Sequence, residues 1–97
     1  MQRLFLIAQC MLVPLAAGAA APPYVTDTIP TPSGALAITF IGHGTLMLKH
    51  GATVIHVDPV SREADYATLP KAGLILVTHE HGDHLDAAAI AKIRTDK

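Results

Sequence analysis

The segment THEHGDHL, residues 78–85, concentrates three histidines and two carboxylates in a chain in which only 15% of the residues are charged. Neutral imidazole and carboxylate groups are ligands that suit Zn²⁺, Mn²⁺ and iron. An open catalytic site combines about three such protein ligands with a water molecule. The segment therefore predicts a metal site, with four candidate donors: His79, His81, Asp83 and His84.

The spacing of these donors divides them into two pairs. His79 and His81 are two residues apart, so in an extended segment their side chains point the same way and can bind one ion. Asp83 and His84 follow the flexible Gly82 and can turn toward a second ion. Paired metal ions in hydrolases lie about 3.5–4 Å apart. Two adjacent half-sites are the resulting expectation.

The alternative interpretation is that these histidines are solvated loop residues without a ligand. Four donors at this spacing, directly after the apolar run LILV, favour the metal site instead. Glu80 faces away from its histidine neighbours in an extended segment, and we expect it to be exposed.

The apolar pattern predicts the elements that position the segment. Alternating and apolar runs bounded by turn signals indicate four strands: 36–41, 45–49, 52–58 and 74–78. His50 and Gly51 are the predicted two-residue turn of a hairpin between the second and third strands. The last strand is apolar almost throughout, which is typical of a strand covered on both faces.

A helix is predicted over about 86–94, where LDAAAIAKIR has apolar residues at helical spacing. Asp86 is expected in its first turn, and Lys92 and Arg94 near its end, where the helix dipole favours these charges. The charged segment then lies in a strand-to-helix loop. Such loops are where α/β proteins place their chemistry.

The N-terminus has the layout of a secretory signal peptide over residues 1–21, with one arginine, an apolar stretch and then small residues. A membrane anchor is the alternative, but the apolar stretch is shorter than the ~20 residues needed to cross a bilayer, and it contains Pro14. Gln9 before Cys10 does not favour lipidation. Export to the periplasm or the medium is therefore expected.

Residues 22–35 contain four prolines and no strand or helix periodicity, which predicts an extended lead-in, with the fold beginning after Gly34. The remaining residues, 36–97, can form at most one small domain. No cysteine follows residue 21, so neither disulfides nor thiolate ligands are expected there. The net charge of −1 gives no indication of a nucleic-acid partner. After residue 21 there is no further apolar stretch long enough to span a membrane, so no membrane association is expected there.

The segment THEHGDHLD resembles the H-x-H-x-D-H signature of the metallo-β-lactamase superfamily. ITFIGHGTLMLKHGATVIHVDP is similar to the opening strands of its branch of L-ascorbate-6-phosphate lactonase-like and phospholipase D-like hydrolases. The resemblance covers residues 36 to about 94. It implies an α/β fold, an αββα sandwich with a dinuclear site.

Carried over by motif position, His79 and His81 would bind the first metal ion, and Asp83 and His84 the second. Asp83 is in addition our candidate catalytic residue. The resemblance implies two divalent ions, with zinc the first expectation and manganese or iron also admitted. It further implies a metal-bound hydroxide that attacks a small-molecule lactone, amide or phosphoester.

Domains of this superfamily are normally much longer, and their further ligands, two histidines and a bridging aspartate, have no counterpart in this chain. We therefore expect the N-terminal part of the sandwich, incomplete, binding metal weakly and inactive alone. The alternative is a non-catalytic fragment that binds metal or a partner. A nuclease is disfavoured by the predicted export and the missing basic patch.

Two residues outside the segment are further candidates. The aspartate that matches Asp58 in the family lies beneath the histidine loop and hydrogen-bonds it, which orients ligands; a turn-forming Asp-Pro pair is the alternative. His43, in GHG, is a candidate substrate contact, with a plain turn histidine as the alternative. His50 is expected to be solvated and His56 to be a satisfied strand histidine.

Overall fold

The computed structural model describes residues 23–96, and its strands form one mixed sheet. The elements in chain order are β1 (Val25–Thr31), β2 (Gly34–Gly42), β3 (Thr45–His50), β4 (Thr53–Val57), β5 (Leu74–Leu76) and α1 (Ala87–Ile93). The strands lie in sequence order. The first four pair antiparallel, and β5 pairs parallel with β4. This arrangement confirms a partial α/β fold. The predicted signal peptide lies outside the described residues.

The predicted lead-in contributes a strand of its own. Val25–Thr31 pairs along its whole length with β2, from Val25 opposite Phe40 to Thr31 opposite Gly34. The prediction that the fold begins after Gly34 was therefore wrong. Pro30 is tolerated because β1 is an edge strand. A proline there, on the side of the strand that has no neighbour, removes no hydrogen bond between strands.

The predicted hairpin between β3 and β4 is present, but its turn is shifted by one residue. His50 pairs with Thr53, so the two connecting residues are Gly51 and Ala52 instead of His50 and Gly51. Gly51 has a φ of 56°. A glycine with positive φ at the first central position is the pattern of a type II′ turn, whose twist matches that of the strands.

One face of the sheet is covered by the segment 59–73 and by α1. The buried cluster consists of Tyr66, Ala72, Ala89 and Ile93, with Ile75 of β5 packed against it. Tyr66 is held in place because its hydroxyl accepts a hydrogen bond from the backbone N–H of Val60, at 3.2 Å. Burial raises the pKa of this phenol.

The opposite face of the sheet is apolar and uncovered among the described residues. By register it carries eleven aliphatic or aromatic side chains, none of them buried: Val25, Ile29, Leu36, Ile38, Phe40, Leu46, Leu48, Ile55, Val57, Leu74 and Leu76. Leu74 and Leu76 are 48% and 47% exposed. The prediction that β5 is covered on both faces is therefore not met here, because α1 and the segment 59–73 lie on one side only.

Asp86 is the N-cap of α1. The sequence had predicted it in the first turn, so that prediction was wrong by one position. Its Oδ1 accepts hydrogen bonds from the N–H groups of Ala88 and Ala89, at 2.9 and 3.2 Å. Its Oδ2 accepts one from the N–H of Ser61, at 2.8 Å, which is the first cause of the lowered pKa of this carboxyl. One side chain thus starts the helix and ties it to the loop after β4.

Within residues 23–96, no helix has the length and apolar character to cross a membrane.

Candidate metal centre

Asp58 anchors the histidine loop from below. It directly follows β4 with a φ of 46°, and the residue is only 1% exposed. Oδ1 accepts a hydrogen bond from the N–H of Thr78 at 2.7 Å. Oδ2 accepts two more, from the Thr78 hydroxyl at 2.7 Å and from Nδ1 of His84 at 2.8 Å. The carboxylate therefore holds both the first residue of the loop and one of the predicted donors.

The Asp58 carboxyl is ionised at neutral pH although it is buried. Burial alone would raise its pKa, but the hydrogen bonds from Thr78 and His84 outweigh that effect and lower it. Since an ionised carboxylate can only accept, Nδ1 of His84 carries the proton in this contact. Nε2 of neutral His84 is then left with a free lone pair, as a metal ligand requires.

The same network orients His79. The single proton of the Thr78 hydroxyl goes to Asp58, so the hydroxyl accepts a hydrogen bond from Nδ1 of His79, at 2.9 Å. Nε2 of His79 is likewise left free. Two of the predicted donors are thus held in the tautomer that binds metal through Nε2.

The three imidazoles of the predicted motif lie side by side. The ring centroids of His79 and His84 are 4.0 Å apart, and those of His79 and His81 are 4.7 Å apart. His79 and His84 are half-buried, whereas His81 is exposed. Glu80 is exposed, as predicted. The three rings therefore lie close together, with His81 the most exposed of them.

Asp83 lies between two imidazoles at the mouth of the loop. Its Oδ2 is 3.1 Å from Nε2 of His43 and 3.7 Å from Nε2 of His84. The pKa of the Asp83 carboxyl is lowered, first by its own backbone amide and further by His84 and His43. One donor atom from each of these three residues lies within 4.8 Å of the others. His79 and His81 do not belong to that set.

The GHG turn brings His43 to the loop. His43 has a φ of 53°, a left-handed conformation uncommon for a residue with a side chain. Gly44 leaves room for His84, because a Cβ there would lie 2.9 Å from Cε1 and 3.3 Å from Nδ1 of that ring. The contact between His43 and Asp83 was missed by sequence reasoning. The two glycines of GHG could have indicated a left-handed turn, but they could not have indicated that His43 contacts Asp83.

The two remaining histidines lie apart from this cluster. His50 is half-buried, with Nε2 3.2 Å from the hydroxyl of Ser33, so the prediction of a solvated residue holds only in part. His56 is fully buried, and its Nε2 donates to the carbonyl of Pro70 at 3.0 Å. Its Nδ1 has no hydrogen-bond partner among the described residues. The prediction that both ring nitrogens of His56 are hydrogen-bonded therefore holds for only one of them.

The residues present fit a divalent metal ion. The donors are imidazole nitrogens and an ionised carboxylate, and two imidazoles are fixed from behind by the Asp58–Thr78 network. Metal-binding histidines characteristically donate their second N–H to such a partner, which sets the ring orientation and raises ligand basicity.

Comparison with known proteins gives concordant results. Residues 37–95 match the profile of a family described as a Beta-lactamase superfamily domain. The chain is similar to a UPF0173 metal-dependent hydrolase of Thermus thermophilus, with 40% identity over 60 residues, and to one of Flavobacterium johnsoniae, with 47% identity over 62 residues. Each match covers 57% of this chain and 27% of the relative.

Among solved structures, the chain is similar to the crystal structure of a proposed metal-dependent hydrolase from Parabacteroides distasonis. The TM-score is 0.73 and the identity 54%, over 75% of this chain and 34% of that one. The chain thus spans about a quarter to a third of the length of the proteins that it matches.

Proposed function

The chain belongs to the beta-lactamase superfamily, whose domain it matches over more than half of its length, and from this premise we propose that it contributes metal ligands to a metal-dependent hydrolase. The observation that carries the proposal is the contact of His84 with Asp58. Asp58 holds Nδ1 of this residue at 2.8 Å and leaves Nε2 facing Asp83.

In the proposed site, His79 and His81 hold one divalent ion, and Asp83 and His84 hold a second. Zinc is our first expectation for both, and manganese or iron suits the same nitrogen and oxygen donors. When bound, such cations lower the pKa of water and polarise a carbonyl or phosphoryl oxygen.

The protein itself orients the imidazole rings and supplies the negative charge of the site. Asp58 and Thr78 fix the rings of His79 and His84 before any ion binds, so little ordering cost remains. Asp83 supplies a carboxylate that is ionised at neutral pH, and its pKa is lowered further by its own backbone amide and by His84 and His43. We propose Asp83 as the catalytic carboxylate because its Oδ2 lies between the imidazoles of His43 and His84.

We propose a small-molecule lactone, amide or phosphoester as the substrate class. The net charge of −1 supports no nucleic-acid substrate. Since the chain covers 27% of its relatives, this activity is proposed for a whole protein of this kind, and we expect the 97-residue chain alone to be inactive. Export through the apolar N-terminus is proposed with it, and detection of the chain in the periplasm would test that part.

Metal analysis of the purified chain tests the proposal. We expect bound zinc after incubation with Zn²⁺ and desalting, and less of it in the His79→Ala/His81→Ala double variant, which keeps only the Asp83–His84 pair. His50→Ala is the matched control, because His50 contacts Ser33 far from the loop. Equal zinc in the double variant and the unmodified chain would contradict the proposal.

A second candidate function is a non-catalytic module that binds metal and a partner. The uncovered apolar face favours it, since contiguous exposed apolar surface marks interaction sites. This candidate predicts zinc binding without hydrolysis, even when the ligands missing from this chain are supplied. Hydrolysis assays on a full-length relative into which residues 37–95 of this chain are substituted would separate the two candidates.

A further inference from the structure

We propose that His43 is a metal ligand and forms a three-donor site with Asp83 and His84. The proposal rests on the proposed function and changes it in one respect. His43 would bind the cation itself, whereas sequence reasoning had made it a substrate contact at the pocket rim.

The distances between the donors match those around a metal ion. Ligand bonds of about 2.0–2.1 Å at tetrahedral angles place neighbouring donor atoms roughly 3.3–3.4 Å apart. Oδ2 of Asp83 is 3.1 Å from Nε2 of His43 and 3.7 Å from Nε2 of His84, on either side of that value. All three donor atoms lie within 4.8 Å of one another. Small side-chain rotations would bring them to a common ion.

The protonation states also suit a cation. Nδ1 of His84 carries its hydrogen and donates it to Asp58, so Nε2 is the ring nitrogen left to face an ion. The Asp83 carboxylate presents Oδ2 between the Nε2 atoms of His43 and His84. Without metal, Nε2 of His43 can donate its proton to Asp83; neutral imidazole with the proton on Nδ1 would present a lone pair to an ion instead.

The backbone holds His43 in position at an energetic cost. Its φ of 53° lies in the left-handed region, where strain persists only when the surroundings impose it. The missing Cβ of Gly44 lets the turn approach His84 closely. The ring centroids of His43 and His84 are consequently 5.0 Å apart.

The competing interpretation is that His43 only hydrogen-bonds Asp83. That contact would then position the carboxylate, and replacing His43 would leave the metal affinity nearly unchanged. The two interpretations differ in whether Nε2 of His43 contacts the ion, and that difference can be measured without any substrate.

The test uses Zn²⁺ alone and the 97-residue chain. Calorimetric titration would compare the unmodified chain with His43→Asn, His84→Ala and His50→Asn. Asparagine tolerates the left-handed backbone of position 43, so the turn is kept while the imidazole is removed. We expect His43→Asn to weaken zinc binding at least about tenfold, and His50→Asn to leave it unchanged. Circular dichroism would verify that each variant is folded.

Nitrogen-15 NMR of the histidine side chains supplies the second readout. We expect the Nε2 resonance of His43 to shift when one equivalent of Zn²⁺ is added. An unmoved His43 signal, with an unchanged affinity of His43→Asn but lost binding by His84→Ala, would overturn the role of His43 and leave the proposed function standing. A chain that binds no Zn²⁺ at all would contradict the proposed function itself.

Discussion

Nδ1 of His84 lies 2.8 Å from Oδ2 of Asp58, a contact that joins residues 26 positions apart. It connects the end of β4 to the histidine loop after β5. Asp58 also accepts two hydrogen bonds from Thr78, so one buried carboxylate sets the position of the loop and the tautomer of its donors.

Replacing the carboxylate should weaken the metal site without removing a ligand. We expect Asp58→Asn to reduce zinc affinity about 10–100-fold, because His84 loses its charged hydrogen-bond acceptor. Calorimetric titration with Zn²⁺ measures the effect. Asp27→Asn, on the exposed strand β1, is the control. An unchanged affinity in a folded Asp58→Asn variant would show that this contact does not act on the ligand.

The hydroxyl of Thr78 should matter in the same way. Thr78→Val keeps the side-chain shape but removes the group that links Asp58 to Nδ1 of His79. We expect zinc affinity to fall roughly tenfold. Thr28→Val, exposed on β1, should bind zinc like the unmodified chain. The idea fails if both valine variants titrate alike.

The space at Gly44 should be required by His84. A Cβ at Gly44 would lie 2.9 Å from that ring, and the ring cannot retreat without breaking its bond to Asp58. We expect Gly44→Ala to weaken zinc binding. Gly82→Ala is a close control, because a Cβ there would meet no heavy atom within 4 Å. Comparable titrations for the two alanine variants would contradict this packing argument.

Acid should destabilise the metal-free chain through Asp58. The pKa of Asp58 in the folded chain is lowered from its ordinary value of 3.8, so its contribution is fully present above that value. It is lost as the pH falls below 3.8 toward the folded pKa. Urea unfolding at several pH values from about 5 down to about 2 should therefore show a steeper loss for the unmodified chain than for Asp58→Asn. Equal slopes would argue against this linkage.

A second loss of stability should occur at milder pH because of His56. Burial lowers the pKa of His56 from 6.5, although its bond to Pro70 opposes the shift. A histidine whose pKa is lower in the folded than in the unfolded chain stabilises the fold in its neutral form, and this stabilisation is complete above the pKa of the unfolded chain. That contribution is lost as the pH falls below about 6.5, with a slope of at most about 1.4 kcal/mol per pH unit.

Urea unfolding of His56→Gln and of the unmodified chain between about pH 7.5 and 5.5 checks this, and the slope corresponds to the uptake of at most about one proton. Glutamine can still donate to the Pro70 carbonyl, but it does not titrate. We expect the pH slope to decrease in His56→Gln and to persist in His50→Gln. A slope that survives in His56→Gln would assign the titration to another group.

Local patterns were sufficient for most of the elements and for the identity of the motif residues. The strands around the β3–β4 hairpin and the helix after the histidine loop follow from apolar alternation, turn glycines and helical spacing, which short segments carry by themselves. The family membership likewise follows from contiguous motifs, as the match over residues 37–95 confirms.

Only the tertiary structure decided which distant groups meet. The pairing of β1 with β2, the uncovered apolar face, and the contact of His43 with Asp83 across 40 positions depend on the twist and register of the sheet. A periodic pattern states which face of its own element a side chain occupies, but it does not state what lies opposite. For that physical reason the sequence named the candidate donors, while folding selected the neighbours that orient them.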